Sequence, residues 1–444
     1  MERSVEQSLE QSEFTGEAPS EEEIFGAEWD VVLVGSGVIG MWSALYLARS
    51  GARVLLLDDS EELGCCSEGN AGLLVPSRCK PLPGPGRIRE GLKGFWGSRE
   101  SPFSLRPGLD PDLWGWLARF VLSCSRNRFE AGSDTLLEMG RRSMELMEDE
   151  LADREGNGVF LGGEGVLYPY YGRRQWIRAV HEARTRRGVG LDAHVLSAGE
   201  AREAEPALDP AVLGAVLQKA DRRAEPEGLL SLLQDALQRE GVTRLARTRV
   251  YALDTGPSGT VERVRTTRGA LRAGQVLLAA GAGTKGILKS MGSWLPIRSG
   301  RGWSVTFGYA EGPPERGLLL EEARIGVAPW RNGFRVTGGL ELSGGEEGIL
   351  RSRVQSVLRQ AKSYLPGLDS SGRPLVWQGN RPLTPDGLPA VGRIPGTGNL
   401  WVAAGHANLG LTLGAASGEM IAGSMAGSGE EPAYQLAPER FLKG

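Results

Sequence analysis

Histidine is nearly missing from this 444-residue chain: His181, His194 and His406 are the only three. None stands in a His-Glu-x-x-His pattern or beside a cysteine pair, which excludes a histidine-rich metal centre. Cysteine is scarce too, with only Cys65, Cys66, Cys79 and Cys124. The adjacent Cys65-Cys66 lacks the spacing of a zinc ribbon or a thioredoxin-like redox motif. The usage predicts no disulfide framework and a reducing, cytoplasmic setting. A basic excess is also absent: 51 Lys and Arg face 55 Asp and Glu, a formal net charge of −4. That balance argues against a nucleic-acid partner. No basic stretch followed by an apolar run opens the chain, so no signal peptide is expected. Residues 31–48 and 401–418 carry no charge and reach spanning length, but glycines and small polar residues interrupt both. Each reads as a buried strand, a glycine turn and a helix start rather than a membrane span.

What the chain does have is glycine, 65 residues of 444, about twice the average share. Without a Gly-X-Y period, this points to tight turns and close backbone approaches, as nucleotide pockets require. Length predicts two or three domains. Residues 1–30 hold ten acidic residues and one base. Residues 1–28 are therefore expected to be a disordered acidic tail. A Pro/Gly-rich loop opens at Pro81, apolar residues recur at helical spacing over 112–124, and 134–152 and 226–240 read as amphipathic helices. Strand patterns fill 247–280, and the chain closes with a strand, glycine turn and helix over 400–425.

The residues that carry chemistry begin at Asp30. A short apolar strand runs into Gly35-Ser36-Gly37-Val38-Ile39-Gly40, a helix follows, and a second apolar strand ends at Asp58. This is the dinucleotide fingerprint in its βαβ context. Gly35 permits the turn, Gly37 lets backbone approach a pyrophosphate, and Gly40 lets helix pack on strand. The helix N-terminus around Val38 and Ile39 supplies free N–H groups and partial positive charge. Asp58, or Asp59 beside it, can accept hydrogen bonds from ribose hydroxyls, so the ligand is FAD or NAD rather than NADP. The strand over 275–283, with a small-residue turn at Ala280-Gly281, can close over the same nucleotide. No second fingerprint exists for a separate nicotinamide domain, which favours FAD.

Further motifs resemble the FAD-dependent D-amino-acid oxidase superfamily, particularly its bacterial D-amino-acid and D-hydroxyproline dehydrogenase branch. Cys66-Ser67-Glu68-Gly69-Asn70-Ala71-Gly72 is similar to that branch's Ser-Phe-x-Asn-Ala-Gly segment. Ser101-Pro102-Phe103-Ser104-Leu105-Arg106-Pro107, Trp116–Phe120 and Gly300-Arg301-Gly302-Trp303-Ser304 match as well. The most specific stretches are Asn380-Arg381-Pro382-Leu383-Thr384-Pro385-Asp386-Gly387-Leu388-Pro389 and Gly405-His406-Ala407-Asn408-Leu409-Gly410-Leu411-Thr412. The resemblance spans about residues 29–444. Two departures are Glu225-Pro226, where many relatives have Asp-Pro, and Leu411, where tryptophan is common.

The resemblance implies an α/β fold, with a Rossmann-type FAD-binding domain (29–75, 225–295, 375–444) and an interleaved antiparallel-sheet substrate or cap domain (76–224, 296–374). Ser67, Asn70, Ala71, Gly72 and Leu73 would lie against the flavin, and the Val250 backbone would meet the adenine. Gly405, His406, Leu409, Gly410, Leu411 and Thr412 would pass the flavin's pyrimidine edge, at a helix beginning near Leu413. Arg381 would clamp the substrate carboxylate, Tyr168 and Tyr170 would either face substrate from the cap or serve as core aromatics, and His406 would either hydrogen-bond near the flavin or be a turn histidine positioned for packing. The implied reaction is dehydrogenation of a D-amino acid or cyclic D-imino acid by hydride transfer to flavin N5. The electron acceptor would be a quinone or O2. The 112–124 helix is either a packed cap helix or a peripheral membrane contact. A sarcosine or glycine oxidase, and an FAD-binding structural or regulatory protein, are the alternatives.

Overall fold

The computed structural model describes residues 20–61, 66–88, 103–106, 110–152, 165–185, 192–308, 313–343, 351–368, 372–428 and 431–442. Its first element corrects the expected extent of the tail. Ser20 caps a short helix, α1 (Glu21–Gly26), accepting from Glu23 N at 3.3 Å while its own N–H donates to Glu23 Oε2 at 2.7 Å. This Ser-x-x-Glu box satisfies two amides that a helix start leaves open. Ile24 is buried in the core beside Trp29, whose Nε1 donates to the Ile24 carbonyl at 3.0 Å. Acidic composition hid one capping box and one apolar anchor. Residues 1–19 lie outside the described residues.

β1 (Glu28–Val34), α2 (Val38–Arg49) and β2 (Val54–Leu57) form the expected crossover, with β1 and β2 parallel. β9 (Thr243–Leu245) adds to β2 in parallel, and β12 (Gly269–Leu278) flanks the other side of β1. The edge of β12 away from β1 serves two neighbours along its length. Its start pairs antiparallel with β11 (Val261–Thr266), which pairs with β10 (Val250–Thr255). Its end pairs parallel with β19 (Leu400–Ala404), against which β18 (Ala390–Arg393) is antiparallel. The central parallel stretches 31–34, 54–57, 276–278 and 400–404 are unbroken apolar runs because helices cover the sheet. The C-terminal helix Gly410–Ala426 packs on α2 through glycines and alanines.

Among the described residues the second sheet has nine strands: β4 (Phe103–Arg106), β5 (Val166–Tyr170), β6 (Ala193–Ser197), β7 (Gly214–Gln218), β13 (Arg298–Gly308), β14 (Gly317–Leu320), β15 (Ile325–Trp330), β16 (Gly333–Ser343) and β17 (Leu375–Leu383). Two boundaries therefore move. β17 pairs with β13 in this sheet, so 375–383 belongs with the cap rather than the nucleotide domain. The helix expected at 134–152 runs from Arg126 to Ala152 and packs on Gly410–Ala426; Arg142 pairs with Glu419 at 2.6 Å across that contact. Apolar periodicity reveals that a helix has a buried face, but not which sheet's helices cover it.

Candidate active site

A cavity of about 1040 Å³ is walled by both sheets. At one end are the first sheet's turns: Gly35, Gly37, Val38, Ile39, Asp58, Asp59, Val250, Ala280 and Gly281. Gly40 lies behind this wall, where a Cβ would fall 1.8 Å from the Gly35 carbonyl oxygen. Only a missing side chain lets α2 approach the turn that closely. At Gly37 a Cβ would meet nothing nearer than Ser67 Oγ at 3.6 Å. The turn is thus packed from behind and open toward the cavity, at a helix N-terminus, as a pyrophosphate requires. These residues fit FAD.

Asp58 is deeply committed to protein donors. Its Oδ2 accepts from Ser36 N at 2.6 Å and Ser36 Oγ at 2.8 Å. Its Oδ1 accepts from Ser60 N at 2.8 Å and Ser60 Oγ at 2.5 Å. The carboxylate therefore ties the glycine turn to the end of β2. Asp59, more exposed, pairs with Arg249 at 2.8 Å.

Across the middle run Ser67, Asn70, Ala71 and Leu73 from one side and His406, Leu409, Gly410 and Leu411 from the other. Ser67 Oγ accepts from Val38 N at 3.1 Å, and Asn70 Oδ1 from Gly72 N at 2.9 Å. The C-terminal helix starts at Gly410, so its N-terminal dipole reaches the cavity three residues earlier than expected. Gly72, Gly405 and Thr412 are not among the lining residues; Thr412 is buried, its Oγ1 accepting from Val75 N at 3.2 Å. His406 is 3% exposed and its Nε2 lies 2.9 Å from Ser417 Oγ. Burial pushes its pKa down to about 3, so the ring is neutral near pH 7.

Arg381 lines the far end. Its Nη1 donates to the Gly339 carbonyl at 2.5 Å, and its guanidinium lies where a Cβ on Gly302 would be. The Gly-Arg-Gly-Trp-Ser motif thereby acquires a reason: Gly302 leaves the room that Arg381 fills. Among the described residues no carboxylate pairs with Arg381, and burial pulls its pKa down to about 10. A withdrawn guanidinium without an acid is a receptor for one.

Tyr168 is corrected. It is fully buried and does not line the cavity. Its hydroxyl donates to Asp221 Oδ2 at 2.5 Å and lies 3.4 Å from Ser77 Oγ. Tyr170 likewise stands behind the wall, donating to Glu321 Oε2 at 2.5 Å and accepting from Arg78 Nη2 at 3.0 Å. Strand alternation fixes which neighbours share a face but not whether that face meets a cavity or a core.

Sequence reasoning missed Arg78, Lys80, Glu321, Arg324 and Trp377, all lining residues. It also missed Arg335, which holds the Glu68–Asn70 backbone from behind. None belongs to a spaced motif. The glycines offered the one available signal: Gly69 and Gly379 both lie where a Cβ would strike the Trp377 indole.

A family model described as FAD dependent oxidoreductase (DAO) matches residues 30–423. The chain is 29% identical over 417 residues to a D-amino acid dehydrogenase of Methylobacterium sp. (strain 4-46), covering 92% of this chain and 98% of the relative. It is 29% identical over 425 residues to a D-amino-acid oxidase of Bradyrhizobium diazoefficiens, covering 93% and 99%. Among solved structures, glycine oxidase from Geobacillus kaustophilus superposes with a TM-score of 0.72 at 22% identity, over 93% of this chain and 99% of that one. L-proline dehydrogenase from P. horikoshii gives 0.69 at 19% identity, over 94% and 98%.

Proposed function

The chain belongs to the DAO family of FAD-dependent oxidoreductases, and from that premise we propose that it oxidises a D-amino acid or a cyclic D-imino acid at its Cα–N bond. The observation that carries the substrate side is Arg381, a guanidinium inside the cavity with no carboxylate partner among the described residues. The names of the curated relatives support the D-amino-acid reading.

FAD, when bound, supplies the two-electron acceptor that turns the Cα–N bond into an imine. The chain's own residues position and exclude. Arg381 orients the carboxylate, held by the Gly339 carbonyl. His406, neutral and bonded to Ser417, contributes packing and a fixed dipole rather than charge. The helix N-terminus at Leu409–Leu411 places partial positive charge at the cavity's middle. Trp303 Nε1 donates to Gln378 Oε1 at 3.1 Å, bracing the sheet that carries Arg381.

Anaerobic titration with D-proline, D-hydroxyproline, D-alanine, their L-isomers, sarcosine and glycine tests this reading. Bleaching of the flavin by D-compounds supports it. Bleaching by sarcosine or glycine alone would replace it with an amine-oxidase reading, and no bleaching by any compound would leave FAD a passive ligand. Readmitting air, then adding a quinone, separates the two acceptors. Among the described residues no helix is long and apolar enough to cross a membrane. The helix Pro111–Ser123 buries Leu113 and Trp116 and exposes Trp114, Val121 and Leu122. Those three are the residues a peripheral membrane contact with a quinone pool would use, which flotation with liposomes checks.

A further inference from the structure

Side chains of β17 fill gaps that glycines leave in the cavity wall. β13 and β17 pair antiparallel, so that Gly300 faces Arg381 and Gly302 faces Gly379 across the ladder. A Cβ on Gly300 would fall 2.5 Å from Leu383 Cδ1, and one on Gly302 would fall 2.2 Å from Arg381 Nη1. A Cβ on Gly379 would fall 1.8 Å from Trp377 Cη2. Each side chain thus lies over a neighbouring row of the ladder rather than over its own partner. Arg381 leans toward Trp377, Trp377 leans toward Arg381, and both arrive at the row formed by Gly302 and Gly379.

Facing positions on one side of an antiparallel pair carry their Cβ sites about 5 Å apart. The Arg381 guanidinium occupies the site on Gly302 and the six-membered ring of Trp377 the site on Gly379. Register therefore sets the cation and the aromatic ring side by side. The ring meets a second glycine as well: a Cβ on Gly69 would fall 2.2 Å from Trp377 Cε3. An indole packed against two glycine backbones, one on β17 and one on the loop before β3 (Leu73–Leu74), has little freedom to swing away. Trp377, Arg381 and Leu383 all line the cavity. Along β17 the guanidinium is thus flanked by an indole on one side and by Leu383 on the other.

We propose that Trp377 is a specificity-determining residue whose indole receives the substituent on the substrate's α-carbon, making D-amino acids with aliphatic or aromatic side chains the favoured substrates over polar ones of equal size. The inference rests on the reading of Arg381 as the α-carboxylate clamp. A carboxylate held by a guanidinium at about 2.8 Å carries the substituents of its α-carbon roughly two bonds further out. That reach matches the ~5 Å spacing of the row. An aliphatic chain gains the burial of its surface against the ring. An amide of the same shape gives up its water there and meets ring carbons in return.

The experiment compares anaerobic flavin reduction of the holoenzyme by two pairs of near-isosteres, D-leucine with D-asparagine and D-methionine with D-glutamine. In the unsubstituted protein kcat/KM for the apolar member should exceed that for the amide by about 10-fold or more. Trp377→Ala should bring each ratio to within about threefold of one, chiefly through KM for the apolar member. A ratio taken within one protein does not depend on the fraction that folds or holds FAD, so a purely structural Trp377 would leave it unchanged. If Trp377→Ala does not hold FAD, Trp377→Phe carries the test, and each ratio should fall about threefold. An unchanged ratio in the variant, or amides that match the apolar compounds in the unsubstituted protein, overturns the role of Trp377 while the oxidation reading stands. Should no amino acid reduce the flavin, the oxidation reading fails on its own. Calorimetric binding of 4-methylpentanoate and succinamate, the acids that leucine and asparagine become without their amine, then decides Trp377 separately. Tighter binding of 4-methylpentanoate that the substitution abolishes supports the role, and equal binding, or binding of neither acid, overturns it.

Discussion

The guanidinium of Arg335, on a strand of the second sheet, donates from Nη1 to the Asn70 carbonyl at 2.9 Å. The same nitrogen reaches the Glu68 carbonyl, and Nε donates to Thr306 Oγ1 at 2.8 Å. The indole of Trp330 lies 3.7 Å beneath it. Arg335 is 3% exposed, and burial pulls its pKa down to about 10, so it remains charged near pH 7. It is a cation from the second sheet that fixes the backbone of the Ser67–Leu73 loop, which lines the cavity.

Arg335→Met should therefore weaken FAD binding more than it weakens the apoprotein. The loss of two charged hydrogen bonds to carbonyls is worth on the order of 3 kcal/mol, divided between folding and loop shape. Isothermal titration of apoprotein with FAD, set beside thermal unfolding of the apo form, separates the shares. Arg335→Lys retains the charge but not the fork and should fall between. Equal effects on apo stability and FAD affinity would make Arg335 a fold residue only.

Arg381 predicts a pH dependence with a definite sign. On the proposed clamp, a carboxylate binds the protonated guanidinium, so affinity should fall as pH rises through about 10, where Arg381 loses its proton. Ligand binding raises that value by linkage, placing the descent later in the complex than in the free protein. Lactate, an acid without an amine, is the suitable probe because nothing else on it titrates there. Arg381→Lys should raise its dissociation constant about 10- to 100-fold, the range for charged hydrogen bonds. An unchanged constant would remove Arg381 from the clamp.

Tyr168 makes the opposite prediction to the one its sequence position invites. Tyr168→Phe should leave kcat and KM within about twofold, because the hydroxyl faces Asp221 and not the cavity. Stability should fall by about 1–3 kcal/mol, the cost of a buried hydrogen bond lost. Burial raises the Asp221 pKa to about 6, and the Tyr168 hydroxyl favours its ionised form. The deficit should consequently be larger at pH 8, where the carboxylate is charged, than at pH 5. Chemical denaturation at the two pH values reads it directly.

The nucleotide half of the molecule was legible because backbone itself carries its chemistry. Gly35, Gly37 and Gly40 serve by what they lack, and a missing side chain is visible in sequence. Apolar runs at 31–34 and 54–57 likewise announce a parallel sheet. The cap was less legible because its site is assembled from positions distant along the chain. Arg381 on β17, Gly302 on β13 and Gly339 on β16 meet only when three antiparallel strands align. The α1 capping box at Ser20–Glu23 was readable, and the surrounding acid count obscured it. Tyr168 shows the remaining limit, since a strand pattern does not distinguish a face that meets ligand from one that meets a buried carboxylate.

His406 ties the site to acid stability. Buried beside Ser417, its imidazole has a pKa near 3 in the folded protein, against about 6.5 when unfolded. Below pH 6.5 the unfolded chain binds a proton that the folded chain refuses, so stability rises with pH across this window and is lost as pH falls from 6.5 toward 3. At pH 4 the loss attributable to this one group is on the order of 3 kcal/mol relative to pH 7. Asp221 slopes the other way between about pH 4 and 6, because its folded pKa lies above its unfolded one. The two contributions partly cancel in the unsubstituted protein, and only a difference measurement isolates either. His406→Gln keeps a hydrogen-bonding group near Ser417 without a proton to gain. Subtracting its denaturation curve from that of the unsubstituted protein should leave a gap that changes steadily from pH 6.5 to pH 4, in the variant's favour as acid increases. A gap independent of pH would mean that the folded imidazole takes up its proton as the unfolded one does, and that burial does not keep His406 neutral in acid.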